Sequence, residues 1–592
     1  LKAKQQYAWM GEIVLKKRTL WMMAVLVVGA VLVTACSSNN ATNTGAGQGS
    51  NGTSAAAGSN GENSSAVTIT EPIQASDLSK LPAIAKNRTD TIIVGLVDPS
   101  GAFTPYFHQS GYDGNVSSLL YTPLVTVDKQ GVPVGATAEK WEISDDQLTY
   151  TFHIRPDSKF SDGSPLTADD VAFTWTLIND KAYDGDSTLN TIGIKGAKNY
   201  KEGTATSIEG IKIVNPLTIS VTIEKPNAIA LLTLGSEILS KAHYGAEYKP
   251  GHVEYIKKLH DQPLGNGPYK LEKFIPGQEV RFVANENFYL GKPKTEKFIY
   301  KTSEGDTWQY LETGEVDYAS FSATTENLEK LKGLGYVNIT PYTPSNYGYL
   351  QVNLEHDALK DKLVRQAITY GLDRQSIYVD ANQGAGQVAN IPSSLISWAY
   401  TEEGINPYKY DPKKAKELLD EAGWKEGSDG IRTKDGKKLT LHYLGRKSPD
   451  TDTFIALAGE NYKELGIDFQ PEVFADFNAL ISKVESGDYD LAAFSTPILS
   501  DPSDGVTQFV NGEVKGYNNP EFKKLYDEAL ATSDMEQRKK IYRDLFKIAN
   551  EDLPVIFTSY KKAVIAYNGR IQNVEYNPVA GLAQTIPNWT LK

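Results

Sequence analysis

Cysteine is nearly absent: the 592 residues hold one, Cys36. A single thiol excludes an internal disulfide framework and any cysteine metal cluster. Histidine is sparse as well. The seven histidines, at 108, 153, 243, 252, 260, 356 and 442, are scattered, and none forms an H-E-x-x-H helix. His252 and His260 lie too far apart to share a helical face at ligand spacing, so no zinc site is expected. No G-x-S-x-G elbow and no Walker A loop occurs. Residues 384–389 imitate a dinucleotide fingerprint, but helical patterning rather than a strand precedes them. No nucleophile–base pair can be assembled, so the chain reads as a non-enzyme without a cofactor. Positive charge is also short: 60 Lys and Arg face 73 Asp and Glu, a net charge of −13. That balance argues against nucleic acid, whose phosphates demand Lys and Arg, and against broad adhesion to anionic lipid.

What is present begins with a leader. Lys16, Lys17 and Arg18 precede an apolar run over 20–35, and Cys36 follows its small-residue exit. A charged start, an apolar core and a small-residue exit are the parts of a secretion signal. The run is shorter than the ~20 residues a spanning helix needs. Val33-Thr34-Ala35-Cys36 resembles the lipobox of bacterial lipoproteins, which implies cleavage before Cys36 and lipid attachment to it. Residues 1–14 read as upstream sequence, with a natural start near Leu15. One acyl chain binds a membrane only marginally, at ~0.8 kcal/mol per buried CH₂, whereas two or more hold stably. Residues 37–66 form a Ser/Asn/Gly/Ala/Thr tract with the single charge Glu62. Such a tract cannot bury enough surface to offset its ordering entropy and serves as a tether.

The length calls for two or three domains. The folded part opens near residues 91–96 (TIIVGL), a short apolar run that reads as a buried strand. Leu148, Tyr150, Phe152 and Ile154 alternate with polar neighbours, as do Leu217, Ile219, Val221 and Ile223; each set predicts a half-buried strand. Thr167 and Asp170 form a capping-box pattern ahead of Val171, Trp175 and Ile178. Asp411 caps a helix with Pro412 at its first position; Ala415, Leu418, Leu419 and Ala422 line its buried side, and Gly423 ends it. Phe522, Leu525, Tyr526, Ala529 and Leu530 mark another helix, and Ile541, Leu545 and Ile548 a third that stops before Pro554. No repeat of 20–50 residues is present, so a solenoid is excluded. Mixed strands and helices imply α/β or α+β lobes.

Residues 138–146 (AEKWEISDD), 150–155 (YTFHIR), 159–163 (KFSDG) and 166–171 (LTADDV) run in order through one block. This block closely resembles the signature of family 5 extracellular solute-binding proteins, the peptide- and nickel-binding receptors of ABC importers. Residues 263–271 (PLGNGPYKL), 281–291 (RFVANENFYLG), 363–374 (LVRQAITYGLDR), 410–412 (YDP) and 551–554 (EDLP) resemble further blocks of that family, so the likeness covers about 90–590. Arg155 and Asp157 read as fixing a turn, and Asp169 and Asp170 as anions in a first helical turn. The resemblance implies a two-lobed periplasmic-binding-protein type II fold with a hinge and an additional subdomain inserted in the first lobe. The first lobe is then expected at 67–125, 263–346 and 553–592, the insert at 126–262 and the second lobe at 347–552. The crossings are expected near Tyr347-Gly348-Tyr349 and Pro554.

The resemblance also implies a function. The chain would be a monomeric, lipid-anchored extracytoplasmic receptor that captures peptides, oligopeptides above all, between its lobes. It would deliver them to the permease subunits of an ABC importer, the ATP step belonging to another subunit. The alternative is the same scaffold used for oligosaccharides or signalling peptides, since ring faces stack on sugars and the chain holds 33 Tyr and 8 Trp. Candidate wall residues are Phe107, Tyr112, Trp308, Tyr347, Tyr349, Phe494 and Thr496. In peptide-binding members an acid shortly after Tyr-Asp holds the ligand's α-amino group. Here residues 489–502 read YDLAAFSTPILSDP, which sets Ile498 or Leu499 at that place, displaces Asp501, and puts Thr496 where several members have Trp. An ammonium in a dry cleft needs a paired charge. Either Asp501 is re-aimed, another acid serves, or the ligand has no free amine there.

Overall fold

The computed structural model describes residues 70–592 apart from 109, 130, 186, 304–306, 499–500, 578 and 580. The leader, Cys36, the tether and Leu499 lie outside the described residues. No described helix is long and apolar enough to cross a membrane.

Strand β1 (Thr91–Val97) follows the apolar run read from the sequence, with Ile92 and Val94 fully or almost fully buried. Helix α1 (Gly111–Leu120) comes next. The chain then builds a four-stranded antiparallel sheet from β2 (Ala138–Ile143), β3 (Thr149–Ile154), β4 (Ile211–Asn215) and β5 (Thr218–Thr222), ordered β2-β3-β5-β4. Tyr150, Phe152 and Ile154 are buried on one face of β3, as the alternation predicts. Helix α2 (Ala168–Ile178) carries the expected capping box, the Thr167 N–H donating to Asp170 Oδ2 at 2.8 Å. Asp170 also accepts from the Lys241 N–H at 2.8 Å, so it braces a second segment as well as its own helix.

Returning, the chain lays down β6 (Tyr269–Ile275), β7 (Glu279–Ala284), β8 (Lys297–Ser303), β9 (Tyr318–Ser322) and β10 (Val337–Tyr342). It then leaves for a second sheet of β11 (Asn346–Val352), β12 (Thr440–Arg446), β13 (Asp468–Phe474), β14 (Leu491–Pro497) and β15 (Val555–Phe557), ordered β13-β12-β14-β11-β15. Strand β16 (Ala563–Asn568) re-enters the first sheet, whose order is β10-β16-β9-β1-β8-β7-β6. One apolar core joins the first sheet to the four-stranded sheet through α1 and α2, and a separate core fills the second lobe. This is the two-lobed type II periplasmic-binding-protein architecture.

Two segments cross between the lobes, 343–345 and the link at Lys562, since Ser559–Lys561 still pair with Gly386–Val388 of the second lobe and Ala563 already pairs in the first sheet. The return lies later than Pro554. Val555, Ile556 and Phe557 are buried in the second core and pair with β11, so a strand's worth of apolar surface holds the chain there. The segments that lead into the crossings touch at Gly348 in β11, where the Thr558 N–H donates to the Gly348 carbonyl at 2.9 Å. A Cβ on Gly348 would lie 2.8 Å from Thr558 Oγ1, so a larger residue would push the two segments apart.

The second lobe's helices follow their sequence signals. Helix α3 (Lys362–Tyr370) is capped by Asp361, and α4 (Pro412–Glu421) by Asp411, which accepts from the Lys414 N–H at 2.9 Å. Helices α5 (Pro449–Glu464) and α6 (Phe477–Ser486) flank the sheet. Helix α7 (Pro520–Ala531) extends only one or two residues beyond those that announced it, and α8 (Met535–Asp552) a turn or more.

Candidate binding cleft

Topology brings the carboxyl ends of parallel strands toward the crossings from both lobes. In the first sheet β1 runs parallel to β8 and β9, and β10, whose end feeds the first crossing, runs the same way. In the second, β12 and β14 are parallel, and Pro497 at the end of β14 stands opposite Asn346, where the crossing arrives. Crevices outside the carboxyl ends of such strands are where open α/β sheets bind ligands.

The second-lobe wall contains an open strand edge. Strand β14 pairs with β11 along its whole length but with β12 only at Leu491 and Ala492. The Ile498 N–H donates to the Ser345 carbonyl at 2.7 Å, and the Gly348 carbonyl turns the other way, to Thr558. This phase aims the even-numbered backbone groups of β14 at β11. The C=O of Ala493, the N–H and C=O of Ser495, and the C=O of Pro497 therefore face away from β11 beyond the point where β12 stops pairing.

Side chains on one face of this strand pair are the expected ones. Tyr347 lies across from Thr496, and Tyr349 across from Phe494. The Tyr349 and Phe494 rings are 6.3 Å apart, and the Tyr347 and Tyr349 rings 5.6 Å. Tyr347 is fully buried; its hydroxyl donates to the Gly505 carbonyl and accepts from Gln508 Nε2, both at 2.7 Å. Burial pushes its phenol well above the usual value, so it stays a neutral donor. Gln508 Nε2 also reaches Thr496 Oγ1 at 3.3 Å.

Tyr112 enters from the first lobe on α1 and meets Phe477 of α6. Phe477 and Phe494 pack on one apolar cluster around Leu444, Leu480 and Tyr489. Tyr112, Tyr347, Tyr349, Phe494 and Thr496 are thereby linked through Phe477 into one aromatic band. The other three candidates lie apart. Phe107 is buried in the first-lobe core, edge-on to Tyr183 at 5.5 Å. Trp308 packs on Phe321 at 5.3 Å in a satellite core of the first lobe. Asp501 is buried, and its two oxygens each accept from Arg538 Nη2 at 2.8 Å while Tyr542 donates at 3.0 Å. Its carboxylate is committed to holding α8 against the end of β14.

The family model for bacterial extracellular solute-binding proteins, family 5 Middle, matches residues 132–517. The chain belongs to this family. It is a binding protein of ABC import systems and not an enzyme. The oligopeptide-binding protein AppA of Bacillus subtilis is 27% identical over 589 residues, covering 97% of this chain and 99% of AppA. Heme-binding protein A of Haemophilus influenzae is 28% identical over 502 residues, 80% of this chain and 88% of that one. AppA solved in complex with a nonapeptide superposes with a TM-score of 0.77 at 25% identity, covering 85% of this chain and 99% of AppA. NikZ of Campylobacter jejuni, solved with Ni(L-His), gives 0.74 at 26% identity over 85% and 100%.

Within this family 5 fold, sequence reasoning missed Phe477, Gln508 and Ser345. Phe477 follows the Asp476 cap and so marks a helix start, but nothing local aims it at the first lobe. Ser345 donates to the Ile498 carbonyl at 2.5 Å and only gains meaning once the crossing is placed. A polar surface cavity of about 550 Å³ lies elsewhere on the first lobe, lined by Asp128, Lys294, Glu575 and Gln584 among others, and has no aromatic wall.

Proposed function

We propose that the protein captures peptides in extended form along the free edge of β14 and closes its two lobes over them. The observation that carries this reading is the row of backbone donors and acceptors at Ala493, Ser495 and Pro497 left beyond β12. A peptide adding as a strand satisfies these groups without reading side chains, while the Tyr112–Phe477–Phe494 band supplies apolar contact. AppA, named as an oligopeptide-binding protein, supports the ligand class. Closure is a population shift: about 5.5 kcal/mol of differential binding carries a two-state clamp from 1:99 to 99:1. The closed form then docks on ABC permease subunits. Cys36, lipidated after leader cleavage, anchors the receptor outside the cytoplasm, with residues 37–66 as its leash; this rests on the sequence around Cys36.

Calorimetric titration with peptides of two to ten residues tests the reading, alongside nickel–histidine and heme, which relatives carry by name. Micromolar or tighter peptide binding is expected. Binding of nickel–histidine, heme or oligosaccharides with none for any peptide overturns it. For the anchor, Cys36→Ala is expected to release the protein from membranes into the medium or periplasm.

A further inference from the structure

We infer that the inserted subdomain carries the latch of the clamp: its turn at Asn227–Ile229 docks on the carboxyl end of α7 in the other lobe, and this contact sets how long the lobes stay shut. The latch rests on the peptide reading above only for what it retains, a bound peptide.

Both sides of the contact are fixed to their own lobes. On the insert, the Ile229 N–H donates to Asn227 Oδ1 at 3.1 Å and the Ala230 N–H to the Asn227 carbonyl at 3.0 Å, which shapes the turn. The short helix that follows, Ala230–Leu234, buries Ala230 and Leu234 completely in the first-lobe core, and Trp175 Nε1 donates to the Leu234 carbonyl at 3.1 Å. On the second lobe, the last carbonyls of α7 have no partner within the helix. Arg538 Nε takes that of Ala529 at 2.9 Å, and the same guanidinium grips Asp501 beyond the end of β14. The next carbonyl, Leu530, accepts from the Ala228 N–H at 2.6 Å. The end of α7 is thus capped in part by its own lobe and in part by the other.

Such a bond suits a latch. Ala228 and Leu530 are both half-buried, so when the lobes part, water takes the place of Ala228 at the Leu530 carbonyl. The aligned peptide dipoles make this end of α7 negative, and no basic residue lies in its last turn. Nearby charges are already matched: Asp527 with Lys523, Glu528 with Lys524 and Asp501 with Arg538. On the insert, Glu224 and Lys225 are exposed and of opposite sign. A charge placed at residue 228 therefore tightens or loosens the latch according to its sign.

The experiment uses the full chain and three variants of similar bulk, Ala228→Gln, Ala228→Glu and Ala228→Lys. Small-angle scattering reads the radius of gyration without ligand, and stopped-flow mixing reads release of the tightest binder among peptides of two to ten residues. Relative to Ala228→Gln, Ala228→Glu is expected to raise the radius and to speed release about twofold to fivefold, and Ala228→Lys to do the reverse. Salt at about 1 M is expected to shrink the difference. Equal radii and release rates in the Glu and Lys variants, or a difference of the opposite sign, overturn the latch. If the Ala228 variants lose thermal stability, Lys225→Glu carries the test, being an exposed change three residues from the contact. It is expected to move both readouts as Ala228→Glu does, and no movement overturns the latch. Absence of any peptide binding overturns the peptide reading instead, and the ligand-free scattering comparison then decides the latch by itself.

Discussion

Tyr112 and Phe477 meet edge to face across the gap between the lobes, with ring centroids 6.2 Å apart and ring planes at 76°. Two other contacts also bridge the lobes: the Ala228 N–H donates to the Leu530 carbonyl at 2.6 Å, and the Glu326 N–H to Gln383 Oε1 at 3.1 Å. Of these three the ring pair is made by side chains alone, so mutation can remove it cleanly. Such pairs contribute about 0.5–1.5 kcal/mol beyond their burial, a factor of two to about ten in an open–closed equilibrium. Phe477→Ala is therefore expected to raise the radius of gyration of the ligand-free protein in small-angle scattering and to weaken peptide affinity by a similar factor. An unchanged scattering profile with unchanged affinity would remove the ring pair from the closing mechanism.

The strand edge yields a sharper test. The Ser495 N–H points away from β11 and takes no part in the sheet's pairing there. Proline is tolerated on such an edge. Ser495→Pro is thus expected to leave thermal stability nearly unchanged while deleting one donor that an incoming strand would use. A lost hydrogen bond with its partner left unsatisfied costs about 1–3 kcal/mol, so peptide affinity falls roughly tenfold to a hundredfold by calorimetry. Normal affinity in a folded Ser495→Pro protein would show that the ligand does not pair with β14.

Asp501 illustrates what a sequence can and cannot reveal. In the sequence it reads as a displaced ligand acid, whereas in the structure it caps the short turn at Pro502–Gly505. Its main partner, Arg538, stands 37 residues on within α8 and is buried; locally, an arginine among Glu536, Lys539 and Lys540 reads as solvated charge. Tyr347 and Thr496 each read from the sequence as wall candidates, and nothing there pairs them. Their pairing across 149 positions depends on register, which no local pattern sets. The helices at 168–178 and 412–421 were legible down to their caps because capping is a contact over three residues. Phe107 was misleading for the opposite reason: an aromatic in a loop is equally at home in a wall or a core, and only the position of Tyr183 decides between them.

The buried ion pair carries its own prediction. Asp501→Ala strands Arg538, whose side chain is 7% exposed, and removing one partner of a buried pair costs about 3–5 kcal/mol. The midpoint in chemical denaturation should fall accordingly. Replacing both, Asp501→Leu with Arg538→Met, should recover most of the loss, because no uncompensated charge remains. If the single variant is as stable as the parent, the pair is not holding α8 to the end of β14.

His260 sets a pH dependence of folding whose sign is fixed by its surroundings. Burial holds its imidazole below the ordinary histidine value, and Lys257 adds to this, while Asp113 and Asp261 oppose it. Its Nδ1 lies 2.8 Å from Thr104 Oγ1, and its ring 5.8 Å from that of Phe107, in the loop between β1 and α1. In the unfolded chain histidine titrates near 6.5. Between that value and the lower folded one, the unfolded state binds more protons, so stability rises with pH there and falls on acidification below about 6.5. Asp170 does not obscure this: burial raises its carboxyl above the usual value, so the folded state takes up protons more readily and the contribution has the opposite sign, in the carboxylate range below. Denaturant midpoints measured between pH 7.5 and 5.5 are expected to decline for the parent and to decline less for His260→Gln, whose amide can keep the Thr104 contact without titrating. Equal slopes in the two proteins would mean that the imidazole is as easily protonated in the folded loop as in water, and that the Phe107 side of the first lobe is open to solvent.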